Sequence, residues 1–296
     1  MVRRRRGLRG LCRNHGDQGG RRAPVARPWG AQRLFLLLVI CLSAGSGAGL
    51  TWAQGWDTAR YEVDGRRSGY LYLGEQTRAL QDDDFLNSGI FAVERGEEIW
   101  NAERAHPGPS CASCHGDAAN SMRGVAARYP QYDSERGGIV NLELRINELH
   151  SKYTEAAPLP YESEDLLALT AYITFQSRGV PMNVDVSGEA QTFFEKGRAF
   201  YFRRRGQLDL ACSQCHDDLA GQRLRADPIS QGQVNGFPFY RLRWRSMGSR
   251  HRMFGWCNLA VRAEPYELGS EEYLNLELYV AWRGRGLPME APAVRP

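Results

Sequence analysis

Apolar residues recur at helical spacing in four stretches of the chain. Two of them carry a glycine in the middle of an aromatic face: Phe91 to Trp100 around Gly96, and Phe193 to Tyr201 around Gly197. A small residue there permits close approach of another helix or of a cofactor edge. The other two are near-copies of one another. Ser163 begins Ser-Glu-Asp-Leu-Leu-Ala-Leu-Thr-Ala-Tyr172 and Ser270 begins Ser-Glu-Glu-Tyr-Leu-Asn-Leu-Glu-Leu-Tyr279, and the two end at Gly179-Val-Pro181-Met182 and Gly286-Leu-Pro288-Met289. Ser followed by acids is a helix start, and Gly with Pro just beyond is a helix stop.

The equivalent positions of this second pair all differ by 107. Carried upstream, the same offset sets Arg145 on Arg252, His150 on Cys257, Ala156 on Ala263 and Pro158 on Pro265. Gly96 precedes Cys111 by 15 residues, and Gly197 precedes Cys212 by the same 15. The pattern predicts a mainly α chain in which one small helical domain is written twice. The first copy covers 89–185 and the second 186–296. Residues 54–88 read as an extended, polar lead-in with no assignable chemistry.

The N-terminus has a different grammar. A basic region from Arg3 is followed by the short apolar run LFLLLVICL (34–42) and then by small residues through Ala48 to Ala53. This is the order of a secretory signal peptide over 1–53, with an uncleaved anchor as the alternative. The apolar run is shorter than the roughly 20 residues of a membrane span. Residues 1–53 hold ten Arg and one acid, so the whole-chain charge of +4 becomes −5 once their +9 is removed. The basic character belongs to the export signal, and charge offers no support for nucleic-acid binding. Export implies the periplasm.

Of seven Cys, Cys12 and Cys41 leave with the signal, and 111, 114, 212, 215 and 257 remain. Two disulfides with one free thiol is one arrangement for an exported chain, and zinc held by Cys-x-x-Cys is another. His directly follows each pair, however, at Cys111-Ala-Ser-Cys114-His115 and Cys212-Ser-Gln-Cys215-His216. About 0.003 such matches are expected by chance in this composition. The motif is that of covalent c-type haem attachment, with both thiols used as thioethers and the His as proximal iron ligand. Two haem c groups are expected. Cys257 is then the one unassigned sulfur.

The offset pairs His150 with Cys257, and both follow their haem motif by a few dozen residues. Each is expected to be the distal ligand of its own haem, giving metal ligands His115, His150, His216 and Cys257. Met182 and Met289 compete for that role, since Met is a common distal ligand; their place just past a helix stop favours packing.

The second half resembles the SoxA family, the c-type cytochrome subunit of L-cysteine S-thiosulfotransferase in bacterial sulfur oxidation. The resemblance is carried by Arg243-Trp-Arg-Ser246-Met-Gly-Ser249, Cys257-x-x-x-Val-Arg262-Ala-Glu-Pro-Tyr266, Gly269-Ser-x-Glu-Tyr273 and Pro292-Ala-Val-Arg295, and it spans about residues 80–296. It implies a persulfide on a haem-ligating Cys257 and a heterodimer with the monohaem cytochrome SoxX. The implied reaction is oxidative joining of thiosulfate to a cysteine of the carrier SoxYZ, with electrons passing to haem. In the family the first haem is often Cys-ligated too, whereas this chain has Leu149-His150 there.

A metal-held thiolate is the nucleophile in sulfur exchange, and an anionic substrate needs positive charge. Arg252 and Arg262 flank Cys257, and a planar guanidinium suits oxyanions. A haem-propionate or surface ion-pair role is the alternative for either. His251 is a further candidate, for proton transfer. Two rival functions stay open: a thiosulfate dehydrogenase forming tetrathionate, and a dihaem electron carrier without catalysis.

Overall fold

The lead-in is not extended. Asp64 and Gly65 both adopt left-handed φ, 48° and 76°, which is what a two-residue hairpin needs. They join β1 (Glu62–Val63) to β2 (Arg66–Arg67). Beside this hairpin Tyr61 and Tyr70 stack at 4.0 Å and, with Leu73, close a small core of their own. Helix α1 (Glu75–Asp82) follows and buries Gln81. Gln81 donates to Glu290 and accepts from the Val294 amide and from Arg295, and Asn87 donates to the Pro292 carbonyl. The segment is a strap tied to the C-terminus more than 200 residues away, a partnership no local pattern encodes. The computed structural model describes residues 58–102, 109–154 and 156–296; the signal segment expected at 1–53 lies outside the described residues.

The rest of the chain runs through one order of elements and then through it again. First come α2 (Ile90–Asn101), α3 (Cys111–His115) and α4 (Ala118–Ser121). A hairpin of β3 (Gln131–Asp133) and β4 (Gly138–Val140) leads into α5 (Leu142–Thr154) and α6 (Glu164–Phe175). The second pass has α7 (Ala190–Phe202) and α8 (Cys212–His216). The short hairpin β5 (Arg223–Leu224) and β6 (Asp227–Pro228) follows, without counterpart among the described residues of the first pass. Then come β7 (Phe239–Arg241), β8 (Ser246–Gly248), α9 (Arg250–Ala260) and α10 (Glu271–Arg283). Strand β9 (Ala293–Arg295) closes the chain by pairing parallel to β7, in register Arg241 to Arg295.

The two central glycines explain themselves here. A Cβ on Gly96 would lie 2.1 Å from the Ala168 carbonyl oxygen and 2.6 Å from the Tyr172 Cβ. A Cβ on Gly197 would lie 1.9 Å from the Asn275 carbonyl oxygen and 3.0 Å from the Tyr279 Cβ. Each glycine lets one helix cross directly onto another, α2 on α6 and α7 on α10. Ser163 and Ser270 cap α6 and α10, accepting from the amides of Leu166 and Tyr273. Both helices bury nine consecutive residues, Leu166 to Thr174 and Tyr273 to Ala281, as a helix must when packed on all sides.

The two passes share one core. Hairpin strand β4 packs against α7 and α10, and β8 packs against α6. The loops after α6 and α10 bond to each other: the Met182 amide donates to Leu287, the Gly286 amide to Met182, and the Gly179 amide to Met289. Met182 and Met289 are each 1% exposed inside this junction, which suits packing rather than iron ligation. A buried polar cluster crosses it as well. Glu277 pairs with Arg250 at 2.6 Å and lies 2.9 Å from His251, and Asn141 donates to it at 3.0 Å. The boundary expected between 185 and 186 therefore runs through a continuous core.

One expectation is revised. Strands β3 and β7 and strands β4 and β8 are related by 108, not 107. Asn141 caps α5 by accepting from the Leu144 amide, and Ser249 caps α9 by accepting from the Arg252 amide, again at 108. The offset returns to 107 only at Ser163 and Ser270. The one-residue difference is absorbed after α5 and α9, so along these helices Leu149 matches Cys257, His150 matches Asn258, and Leu144 matches Arg252.

Candidate functional site

Helix α8 carries Cys212 and Cys215 and ends on His216, which lines a cavity of about 160 Å³. Helix α7 holds α8 in place through its last turn, where the Tyr201 hydroxyl donates to Asp217 at 2.9 Å. Arg283 from α10 also pairs with Asp217 and lies over the Tyr201 ring. His216 Nδ1 donates to the Ser230 carbonyl oxygen at 2.8 Å, which leaves Nε2 with its lone pair toward the cavity. That hydrogen bond fixes the tautomer a metal ligand needs. Burial pushes the imidazole pKa down, keeping it neutral. Gly232, at φ 70°, lies flat against the ring, where a Cβ would sit 2.9 Å from Cγ.

Cys257 projects from α9 into the same cavity, with Met253 and Phe254. Burial pushes its thiol up to about 12; Cys212 and Cys215 add to the rise, and Arg241 opposes it. The protein frame by itself thus keeps this sulfur protonated at neutral pH, and thiolate character has to come from a metal. Phe237 and Phe239 provide apolar wall, and the C-terminal Arg295 and Pro296 reach the rim. An attached haem fits this donor set: two thiols on one helix turn, a tautomer-fixed imidazole and a facing sulfur.

The guanidinium facing Cys257 is neither of those expected. Arg252 donates to Ser246 and to the Met247 carbonyl and lies over Trp244 at 4.2 Å. Arg262 is exposed at a left-handed turn, φ 58°, where its carbonyl accepts from the Gln207 amide. Neither lines the cavity. Arg241 does, from β7, 16 residues before Cys257. Its side chain is 6% exposed, sandwiched by Trp244 and Trp256, and bonded to Asp227, Met253 Sδ and the Pro296 carbonyl. Desolvation, like charge from Arg243 and Arg252, and only partial relief from Asp227 hold its pKa below the usual arginine value. His251 is fully buried among Glu277, Tyr161, Phe254 and Tyr273 and does not line the cavity.

The first motif is built on the same plan but is more open. Ser110 caps α3 by accepting from the Ser113 amide, and Trp100 Nε1 donates to the Gly116 carbonyl at 3.0 Å. Cys111 is half-buried, which pushes its pKa up, while Cys114 and His115 are exposed. His150 is half-buried on α5, where its carbonyl accepts from Thr154. A larger recess of about 590 Å³ lies elsewhere, lined by Arg66, Arg128 and Arg285, with no cysteine or histidine in its wall.

The family model describing the SoxA/TsdA cytochrome c domain matches residues 95–182. With the helix crossings and the Cys-x-x-Cys-His turns, that makes the chain a c-type cytochrome, carrying covalently bound haem c. L-cysteine S-thiosulfotransferase subunit SoxA of Pseudaminobacter salicylatoxidans is 46% identical over 229 residues, 77% of this chain and 80% of that protein. The subunit of the same name from Allochromatium vinosum is 37% identical over 88% of this chain and 98% of that protein. The crystal structure of SoxXA from P. pantotrophus matches with a TM-score of 0.75 at 38% identity, over 78% of this chain and 87% of that one. The chain belongs to the SoxA family of L-cysteine S-thiosulfotransferase subunits.

Proposed function

We propose that this chain is the cysteine-bearing subunit of a periplasmic thiosulfotransferase, working beside a SoxX-type monohaem cytochrome and loading thiosulfate onto a cysteine of a SoxYZ carrier. The observation that carries the reading is the placement of His216 and Cys257 in one cavity, with Arg241 beside the sulfur. The two passes of elements, with matching glycine crossings and capping serines, support an internal duplication with one haem c attached in each half. Cys111 and Cys114 would hold the first, Cys212 and Cys215 the second.

The net reaction joins the outer sulfur of thiosulfate to a carrier thiolate. One S–S bond forms, no bond within thiosulfate breaks, the carrier thiol gives its proton to solvent, and two electrons leave. A haem c held by Cys212, Cys215 and His216 would supply a one-electron acceptor, the SoxX-type cytochrome would supply the other, and the same haem would supply a metal to keep the Cys257 sulfur ionised. The protein's own contribution is positional. Cys257 would carry a persulfide that extends its sulfur from α9 into the cavity. Arg241, desolvated and held between two indole rings, would meet the sulfonate oxygens; a planar guanidinium binds such a group through paired N–H donors. Apolar Phe237, Phe239 and Phe254 exclude water, so this charge acts at low dielectric.

Thiosulfate turnover by the purified complex, with and without a peptide bearing the carrier cysteine, tests the reading. Consumption is expected only with the peptide. Tetrathionate formed without it would make the protein a thiosulfate dehydrogenase, and no turnover in either case would make it an electron carrier. Cys257→Ala is expected to keep the haem attached through Cys212 and Cys215 while abolishing turnover. Intact mass should show a cyanide-labile species about 32 Da above the haem-loaded chain. Full turnover by preparations that never show it would remove the persulfide from the scheme.

A further inference from the structure

The two haem motifs sit in matching frames, but their surroundings differ on both sides. On the distal side, the matching element of α9 is α5. Three independent markers fix how they correspond: the hairpin pairs that precede them, their first residues Leu142 and Arg250, and the capping side chains Asn141 and Ser249. All three give 108, and a continuous helix carries that register to its end. The residue in the place of Cys257 is Leu149. Both are half-buried, and neither packs into the shared core, although their helices do through Ile146 and Met253. His150 is one residue further along, turned about 100° around the helix axis, and matches Asn258. Asn258 points away from the cavity, donating to the Tyr273 hydroxyl at 2.9 Å.

On the proximal side, His216 and β7 are separated by 23 positions, His115 and β3 by only 16. The longer connection carries β5, β6, Ser230 and Gly232, the elements that anchor and cover the His216 ring. Among the described residues His115 has no such cover. Its ring is exposed and lies 5.7 Å from that of Trp100.

We infer that the first haem site, which rests on the two-haem reading above, has no protein ligand on its distal face among the described residues, because Leu149 stands in the place that Cys257 holds at the second site. A leucine side chain has no lone pair to offer iron. The site thus admits small exogenous ligands, cyanide to ferric iron or carbon monoxide to ferrous iron, on the side of Leu149. The second site, closed by Cys257, does not admit them in the ferric state.

The test is electron paramagnetic resonance of the oxidised, fully haem-loaded protein, with haem count by pyridine haemochrome measured first. A count of one haem per chain would overturn the two-haem reading itself and is distinguishable from everything that follows. With two haems, one high-spin ferric signal and one low-spin thiolate signal are expected. Once a reducing agent has removed the Cys257 persulfide and the haems have been reoxidised, cyanide should convert the high-spin signal to low-spin, in a ratio of one cyanide per chain. Leu149→Cys should replace the high-spin signal with a second thiolate-type signal and abolish cyanide binding. His150→Ala should leave the high-spin signal as it was. If the native protein shows only low-spin haem and binds no cyanide, the inference is wrong. If His150→Ala then creates a high-spin signal, His150 is the ligand.

Discussion

Arg241 is the residue on which the chemistry of the cavity turns next after Cys257. An arginine buried to 6% side-chain exposure has lost most of its water, and Asp227 at 3.5 Å relieves that only in part, leaving its pKa pulled down by desolvation; an anion entering the cavity adds to that relief. Arg241→Ala is therefore expected to lower kcat/KM for thiosulfate by about 10²-fold, the scale of a lost charge-stabilising donor. Arg241→Lys should fall between, keeping the charge but losing the planar fork. Arg262→Ala, at an exposed turn, should leave kcat/KM near wild type. Steady-state kinetics at matched haem content checks all three, and equal losses at 241 and 262 would return the role to electrostatics at long range. Chain proximity pointed to Arg252 and Arg262 because they are neighbours of Cys257 in sequence. Helix α9 turns Arg252 toward Trp244 and the hairpin, and only the packing of β7 against α9 brings Arg241 in.

Among the elements, the two glycine crossings bear the most. A methyl added at Gly197 meets the Asn275 carbonyl oxygen at 1.9 Å, and backbone of a fully packed helix cannot give way. Gly197→Ala should separate α7 from α10 and cost about 1–3 kcal/mol of stability, the usual range for overpacking. Gly138→Ala is the control, since a Cβ there has nothing within 4 Å; it should change stability by less than about 0.5 kcal/mol. Denaturant midpoints of the haem-loaded proteins measure both. Local spacing puts these glycines on helices and demands close approach, but does not say whether a helix or a cofactor edge is the neighbour. That choice belongs to α6 and α10, whose own residues gave no sign of which partner they would meet.

At the scale of the whole molecule, the polar cluster between the halves makes stability depend on pH. Burial, and then the like charge of Glu277, pushes Glu143 up to about 7, with Arg250 and His251 opposing. In an unfolded chain a glutamate titrates near about 4.3. The folded state then holds the Glu143 proton more tightly than the unfolded state does, so its contribution declines as pH rises from about 4.3 to about 7. Glu277 runs the other way. Burial raises its pKa, but Arg250 and His251 outweigh that and bring it down to about 2. Its stabilisation is present above about 4.3 and fades as pH falls toward about 2. Glu143→Gln should remove the decline across the upper window and stabilise the protein at pH 8 by about 1–3 kcal/mol. Unfolding curves from pH 4 to pH 8 decide it, and parallel curves for the two proteins would mean that Glu143 titrates normally. Nothing in the strings around Glu143 and Glu277, 134 residues apart, announces that they face one another.

What the amino-acid order determined by itself is what acts over a turn or two of chain. The Cys-x-x-Cys-His turns, the capping Ser163 and Ser270, the glycines at 96 and 197 and the solitary Cys257 all follow from local spacing and side-chain chemistry. What tertiary structure decided is what depends on relative placement. The connection after α5 is one residue longer than that after α9; every local motif is intact, yet the position that matches Cys257 is Leu149 and not His150, and a one-residue step turns a helix by about 100°. The strap at 58–88 and the guanidinium of Arg241 were decided in the same way, by partners that chain distance conceals. Local order selects which elements form; only their packing selects which side chains meet.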